Sequence, residues 1–128
     1  TRSKLRLGEH ALPLALTAVA FWLVAALIVH SFPGLFESKL RLGLALLAML
    51  PIAETILVLV GIVLGLERPK RLPAASLLAI VALACHTVAL VWWPSLYGSD
   101  ETIVRHGGAW VTWTFAALVM MAWFEAER

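Results

Sequence analysis

Apolar residues follow one another in four long runs along the chain, and charged residues are concentrated between these runs. The runs cover residues 11–31, 42–66, 73–94 and 108–124. A helix needs about 20 residues to cross the hydrocarbon core of a bilayer, and the fourth run, with only 17 residues, is the shortest that could do so. The pattern predicts an all-α polytopic membrane protein, residues 1–128 forming a single antiparallel bundle of four transmembrane helices.

Composition supports a membrane protein. Hydrophobic residues make up 62% of the chain and charged residues 14%, whereas a soluble domain has about 45–50% and about 25% respectively. Trp92, Trp93 and Tyr97, at one end of the third run, are typical of the aromatic belt at a membrane interface. No basic cluster of the kind that binds nucleic acid is present, so we expect lipid as a partner and no nucleic acid.

The basic residues predict an orientation. Seven of the ten lie at the chain ends and in the second loop, namely Arg2, Lys4, Arg6, Arg68, Lys70, Arg71 and Arg128. Lysine and arginine accumulate in short loops on the cytoplasmic side, so we expect both termini in the cytoplasm and the protein in a bacterial inner membrane. Lys39, Arg41 and Arg105 lie in the other loops and weaken this bias, which leaves dual insertion open.

The hexamer SKLRLG occurs twice, at residues 3–8 and 38–43. A 35-residue offset aligns none of the prolines in the neighbouring runs, which argues against an inverted duplication of the kind found in transporters. We interpret each copy as the cationic start of a helix at the membrane interface.

Glu54 is the strongest candidate for a functional residue. It lies in the middle of the second run, where an ionised carboxylate is costly and marks a functional site by default. Pro51 removes one backbone hydrogen bond from this helix and favours a kink with an exposed acceptor. Together with Thr55, these residues form a predicted ligand or proton site. The alternative is a protonated Glu54 that clasps a neighbouring helix through a hydrogen bond.

Small residues predict close helix contacts. Gly43, Gly61 and Gly65 share one helical stripe with Glu54, and Ala82 lies one turn before His86 on the third run. We therefore expect these four small residues to pack against neighbouring helices.

His86 is the second ionisable residue inside a run, at nearly the same depth as Glu54. A contact between them would satisfy both groups and create a pair that shares one proton near neutral pH. The alternative is a neutral histidine that donates to a backbone carbonyl.

Two stretches, ALIVH at 26–30 and ALACH at 82–86, read A-x-x-x-H. They resemble the bacteriochlorophyll-ligating stretch of light-harvesting polypeptides, in which a small residue one turn before the histidine leaves room for the macrocycle. The resemblance implies that His86 or His30 could hold a haem or bacteriochlorophyll, although the sequence identifies no cofactor firmly.

Nucleotide-binding, zinc-protease and serine-hydrolase motifs are absent from the sequence. We expect a small homo-oligomeric membrane protein that binds and moves a hydrophobic or protonatable solute, or protons. In size, in its four spans and in its lone membrane glutamate the chain resembles small multidrug transporters, whose glutamate lies in the first span and not in the second.

Two further functions stay open. One is an accessory subunit of a respiratory or photosynthetic complex, with a histidine-ligated tetrapyrrole or a quinone. The other is a small intramembrane enzyme in which Glu54 and His86 act as acid and base on a lipid-soluble substrate.

Overall fold

A computed structural model describes residues 11–127 and contains four long helices. They are α1 (Ala11–Ser31), α2 (Lys39–Leu64), α3 (Arg68–Trp92) and α4 (Glu101–Glu127), with short 3-10 helices at Pro33–Phe36 and Pro94–Leu96. All four long helices are long and apolar enough to cross a membrane. The predicted all-α bundle of four transmembrane helices is confirmed, and the chain is an integral membrane protein.

The helices extend beyond the apolar runs that predicted them, most clearly in α4. This helix has 27 residues, and the sequence RHGG at 105–108, which we predicted to lie partly in a loop, is helical. The Oδ1 atom of Asp100 accepts from the backbone N–H of Ile103 at 3.1 Å and caps the helix start. Hydropathy missed this turn because its residues are polar and glycines are poor helix formers.

Local signals set the bounds of α2. The Oγ atom of Ser38 accepts from the N–H of Arg41 at 3.1 Å, so the second SKLRLG copy does start a helix, as predicted; the first copy lies outside the described residues. Gly65 has a positive φ of 67° and ends the helix. The N–H of Gly65 donates to the carbonyl of Ile62 at 3.3 Å, and the N–H of Leu66 donates to the carbonyl of Gly61 at 2.8 Å. These two hydrogen bonds form a Schellman motif.

Helix α4 is the centre of the bundle and packs against the other three helices. Helix α3 packs on α4 and α1, whereas α2 packs chiefly on α4 and leaves a gap between itself and α1. We call the end with the α1–α2 and α3–α4 connections the two-loop end. The opposite end, with the α2–α3 connection and the last turn of α4, is the one-loop end.

Small residues form much of the core, and large apolar side chains cover the surface. Ala18, Ala26 and Ala117 are fully buried, while Val63 is 80% exposed and Leu40 is 74% exposed. Small residues let helix backbones approach closely in lipid, where no hydrophobic force separates core from surface. The exposed apolar side chains are the expected lipid-facing surface of such a bundle.

Candidate functional site

A buried hydrogen-bonded chain connects four parts of the molecule at the two-loop end. The indole Nε1 of Trp22 on α1 donates to the hydroxyl of Tyr97 at 2.9 Å. That hydroxyl lies 2.6 Å from Nδ1 of His86 on α3, and Nε2 of His86 lies 3.0 Å from the carbonyl of Gly108 on α4. The chain therefore joins α1, α3, α4 and the α3–α4 connection through side chains that sequence patterns did not predict to meet.

The partners fix the positions of the hydrogen atoms. A carbonyl only accepts, so Nε2 of His86 carries the proton and donates to Gly108, and Nδ1 of the neutral ring is an acceptor. Tyr97 must then donate its O–H to Nδ1 while its oxygen accepts from Trp22. Of the two roles that the sequence leaves open for His86, the structure has the second, a neutral histidine that donates to a backbone carbonyl.

Tyr97 lies in the α3–α4 connection but points into the core. It is 0% exposed, and its ring packs edge-on against His86 with centroids 5.4 Å apart. Its predicted place in an interfacial aromatic belt is wrong, whereas Trp92 and Trp93 are exposed. Burial raises the pKa of the Tyr97 phenol above its ordinary value of 10.0, against the smaller opposite effect of the hydrogen bond from Trp22.

Two adjacent glycines allow the approach of the helices around this chain. A Cβ at Gly107 would lie 3.0 Å from Cγ2 and 3.2 Å from Cβ of Val29 on α1. A Cβ at Gly108 would lie 3.4 Å from Cδ2 of Leu90 and 3.8 Å from Cε1 of His86 on α3. Gly107 therefore sets the contact of α4 with α1, and Gly108 brings its carbonyl within reach of His86.

The predicted hydrogen bond between Glu54 and His86 is not formed. Within residues 11–127, the two nitrogens of His86 are engaged by Tyr97 and Gly108. Hydropathy places both residues at a similar depth but does not identify their helix neighbours: α2 packs chiefly on α4, and His86 lies on α3. Glu54 is half-buried on α2.

Both ring nitrogens of His86 are hydrogen-bonded, and this bears on whether His86 could hold a tetrapyrrole. An axial ligand needs a nitrogen lone pair that points at the metal, and Nδ1 of His86 already accepts from Tyr97. His86 does not fit that role in this arrangement, and His30 is exposed at the end of α1. Residues 11–127 contain no cluster of three His, Cys, Asp or Glu side chains that could hold a metal ion.

Pro51 and Thr55 lie on the exposed face of α2. The hydroxyl of Thr55 donates to the carbonyl of Pro51 at 2.9 Å, within its own helix. One turn before the proline, the carbonyl of Leu46 accepts from Nε1 of Trp113 on α4 at 2.8 Å. A backbone acceptor near Pro51 is thus used for helix packing.

The predicted glycine stripe of α2 is largely wrong. A Cβ at Gly43 or Gly65 would meet no atom of residues 11–127 within 4 Å, and Gly65 is required for the positive φ that ends the helix. Gly61 is buried, but it packs against a side chain: its Cβ would lie 2.7 Å from Cζ of Arg71. Ala82 on α3, also predicted to pack, is 0% exposed.

Arg71 belongs to a second buried polar cluster, at the one-loop end. Its Nη1 donates to Oε1 of Glu125 at 3.1 Å, and its Nε donates to the carbonyl of Leu66 at 3.3 Å. The two side chains are 15% and 3% exposed. The pair ties the α2–α3 connection to the last turn of α4, whereas the charge pattern predicts only that Arg71 lies in a cytoplasmic loop.

An apolar cleft of about 350 Å³ lies between α1 and α2, and residues of α4 form its base. Among the described lining residues, Thr114 is the one with a hydroxyl group, which donates to the carbonyl of Trp110 at 2.8 Å within α4. The lining residues are Phe21, Val24, Ala25 and Ile28 on α1, Met49, Ile52, Ala53 and Ile56 on α2, and Trp110, Thr114, Phe115 and Leu118 on α4.

Glu54 is not a lining residue of this cleft. It follows Ala53 by one residue, about 100° around the helix, and so lies on another face of α2. The predicted ligand site of Glu54, Pro51 and Thr55 and the cleft are therefore on different sides of the same helix.

Comparison of the chain with protein families, curated proteins and solved structures finds no match.

Proposed function

We propose that the protein binds a hydrophobic solute in the cleft between α1 and α2. The observation that carries the proposal is the cleft itself, whose volume of about 350 Å³ falls within the roughly 300–1,000 Å³ of small-molecule sites. Its lining is apolar apart from Thr114, whose hydroxyl is already bonded. A ligand there would be held by shape and dispersion, which favours an apolar chain or ring over a charged solute.

The route of entry supports a solute that is dissolved in the membrane. The cleft lies between two helices that do not pack closely on each other, and the exposed cleft residues Val24 and Ile52 belong to the apolar outer surface. Phe36, in the α1–α2 connection, packs on the cleft residue Trp110 with ring centroids 5.5 Å apart. A solute would therefore enter sideways from the lipid.

The test uses an isoprenoid alcohol with a diazirine group, cross-linked to the protein in nanodiscs and mapped by mass spectrometry. Saturable cross-links are expected on the cleft segments 49–56 and 110–118, and an excess of unlabelled alcohol should remove them. Ile52→Trp should abolish them because the indole fills the cleft at a position that is 44% exposed, so the fold tolerates it.

The matched control is Val63→Trp, on the same helix but outside the cleft and 80% exposed. It should leave cross-linking unchanged. Equal labelling of cleft and lipid-facing segments, or labelling that Ile52→Trp does not reduce, would contradict the proposal. Cross-links that join the cleft to a second copy of the chain would instead assign it to a homo-oligomer interface.

Movement of the solute and proton coupling remain predictions, and we centre them on Glu54 alone. A carboxyl group within a membrane helix is the residue type that proton-coupled transporters use. Glu54→Gln retains shape and hydrogen bonding but cannot ionise, so any pH dependence of solute binding or transport should disappear. Full pH dependence in this variant would exclude the role.

We also propose that both termini lie in the cytoplasm of a bacterial cell. The support is the excess of lysine and arginine at the chain ends and in the α2–α3 connection. Ser99 is exposed in the α3–α4 connection, so a cysteine placed there should react with an impermeant maleimide added to intact cells. Protection of Ser99→Cys in all molecules would reverse the orientation, and partial labelling would favour dual insertion.

A further inference from the structure

Two side chains of the α3–α4 connection reach into the bundle: the half-buried Leu96, which packs against the apolar core, and Tyr97, which is fully buried. Among residues 93–100, Tyr97 is the buried one, and the hydrogen bonds of its hydroxyl go to Trp22 and His86. The backbone bonds of the 3-10 turn are local, from Leu96 to Trp93 and from Tyr97 to Pro94. The side-chain hydrogen bonds that hold this connection against α1 and α3 are therefore those of Tyr97.

The hydrogen-bonded chain has one consistent arrangement while His86 is neutral. Trp22 can only donate and the carbonyl of Gly108 can only accept, so the Tyr97 O–H must point at Nδ1. A proton added at Nδ1 would make this nitrogen a donor to the Tyr97 oxygen, which reverses the direction of the hydrogen bond between the two residues. The Tyr97 oxygen would then face two donors, and its own hydrogen would have to turn away from Nδ1, the acceptor that it has now.

We propose that Trp22, Tyr97 and His86 form a proton-sensitive latch, which holds the α3–α4 connection against α1 and α3 and releases it when His86 is protonated. A buried hydroxyl hydrogen that has lost its acceptor is costly, and rotation of Tyr97 out of the core relieves this cost. An imidazole is the side chain that changes charge in the neutral range. The latch does not depend on the solute cleft.

Within residues 11–127, few other titratable groups surround the latch. On α3, Cys85 precedes His86 and lies near Tyr97; α1 contributes Trp22 and α4 the Gly108 carbonyl, neither of which titrates. At the same end of the bundle, Asp100, Glu101 and Arg105 are exposed. His106 lies half-buried on α4.

His106 serves as an internal comparison. Its Nδ1 donates to the carbonyl of Phe36 at 2.7 Å, a bond that protonation of the other ring nitrogen retains. A pH change should therefore leave the α1–α2 connection in place while it releases the α3–α4 connection.

The experiment measures the mobility of a spin label at Ser99, in the full chain carrying Cys85→Ala, reconstituted in nanodiscs. The pH is lowered from about 8 to about 4, so that the titration extends below the range in which an exposed imidazole gains its proton. The mobile component of the spectrum should grow with a one-proton titration, in which the ratio of held to released connection falls by at most about tenfold per pH unit. A second label at Glu37, in the α1–α2 connection, should show no such change.

Three variants separate the latch from other titrations. His86→Gln retains a donor and an acceptor but not the titration, so its Ser99 label should stay immobile throughout. Tyr97→Phe should be mobile at every pH, and His106→Gln should behave like the parent. A parent spectrum unchanged over the range, an undiminished pH response in His86→Gln, or equal mobilisation of the Glu37 label would overturn the proposal. If His86→Gln fails to fold, an immobile label in Tyr97→Phe would overturn it independently.

Discussion

The guanidinium of Arg71 and the carboxylate of Glu125 form a buried ion pair 54 residues apart in sequence, with Nη1 and Oε1 separated by 3.1 Å. The pair joins the start of α3 to the last turn of α4, so the one-loop end of the bundle is closed by charge as well as by apolar packing. The guanidinium also covers Gly61 and bonds the carbonyl of Leu66, which fixes the α2–α3 connection.

Removal of one partner of the Arg71–Glu125 pair should lower the free energy of unfolding far more than removal of both. Glu125→Leu leaves a guanidinium that is only 15% exposed without its counter-charge, so we expect unfolding to become easier by about 3–5 kcal/mol. Adding Arg71→Leu should recover much of that loss. The measurement is unfolding of the micellar protein by SDS, and a double variant that is as unstable as the single one would contradict the expectation.

The control for this pair is the exposed ion pair of Lys70 and Glu67. Its nitrogen and oxygen are 3.6 Å apart, and the side chains are 36% and 78% exposed. Lys70→Ala should change stability by less than about 1 kcal/mol, because exposed pairs are screened by solvent.

Gly61 should act through Arg71. A Cβ at this position would lie 2.9 Å from Nη2 of Arg71, so Gly61→Ala should displace the guanidinium and weaken its bond to Glu125. In a double-mutant cycle, Gly61→Ala should lose most of its effect in a chain that already carries Arg71→Leu and Glu125→Leu. Additive effects would mean that Gly61 acts through helix packing instead.

The lengths of the apolar runs were enough to predict the four helices, because a span must satisfy its backbone polar groups internally and so must be helical. The partners of Glu54 and His86 could not be predicted in this way. Hydropathy gives the depth of a residue along its helix, but the neighbours of that helix depend on packing. The central position of α4, set in part by Gly107 and Gly108, is what separates α2 from α3.

Tyr97 shows a second limit of the sequence. A tyrosine that follows two tryptophans at the end of an apolar run is typical of an interfacial belt, and Trp92 and Trp93 are indeed exposed. Tyr97 differs because the 3-10 turn at Pro94–Leu96 returns the chain towards the core, where His86 and Trp22 bond its hydroxyl. No spacing rule connects residues 22, 86 and 97, so this cluster required the fold.

Gly107 is predicted to be the glycine that is most sensitive to substitution. Its Cβ would clash with Val29 on α1, and the cost of such overpacking in a core is typically about 1–3 kcal/mol. Gly107→Ala should therefore destabilise the bundle to SDS, while Gly43→Ala, whose new methyl group meets no described residue within 4 Å, should be neutral or slightly stabilising. The reverse order of the two variants would contradict the packing of α1 against α4.

Tyr97 should make the protein lose stability at alkaline pH. Burial raises the pKa of its phenol above the ordinary value of 10.0, so the folded chain retains this proton at pH values where the unfolded chain has released it. The contribution is fully present below about pH 10 and is lost as the pH rises through the folded pKa, by up to about 1.4 kcal/mol per pH unit. The stability difference between the parent and Tyr97→Phe should shrink over that range and stay constant below it.

Because the chain contains a single tyrosine, tyrosinate absorbance reports the titration of this group directly. An absorbance midpoint at or below pH 10.0 in the folded protein, or parallel stability curves for the two proteins above it, would show that the phenol is solvated and not enclosed between Trp22 and His86.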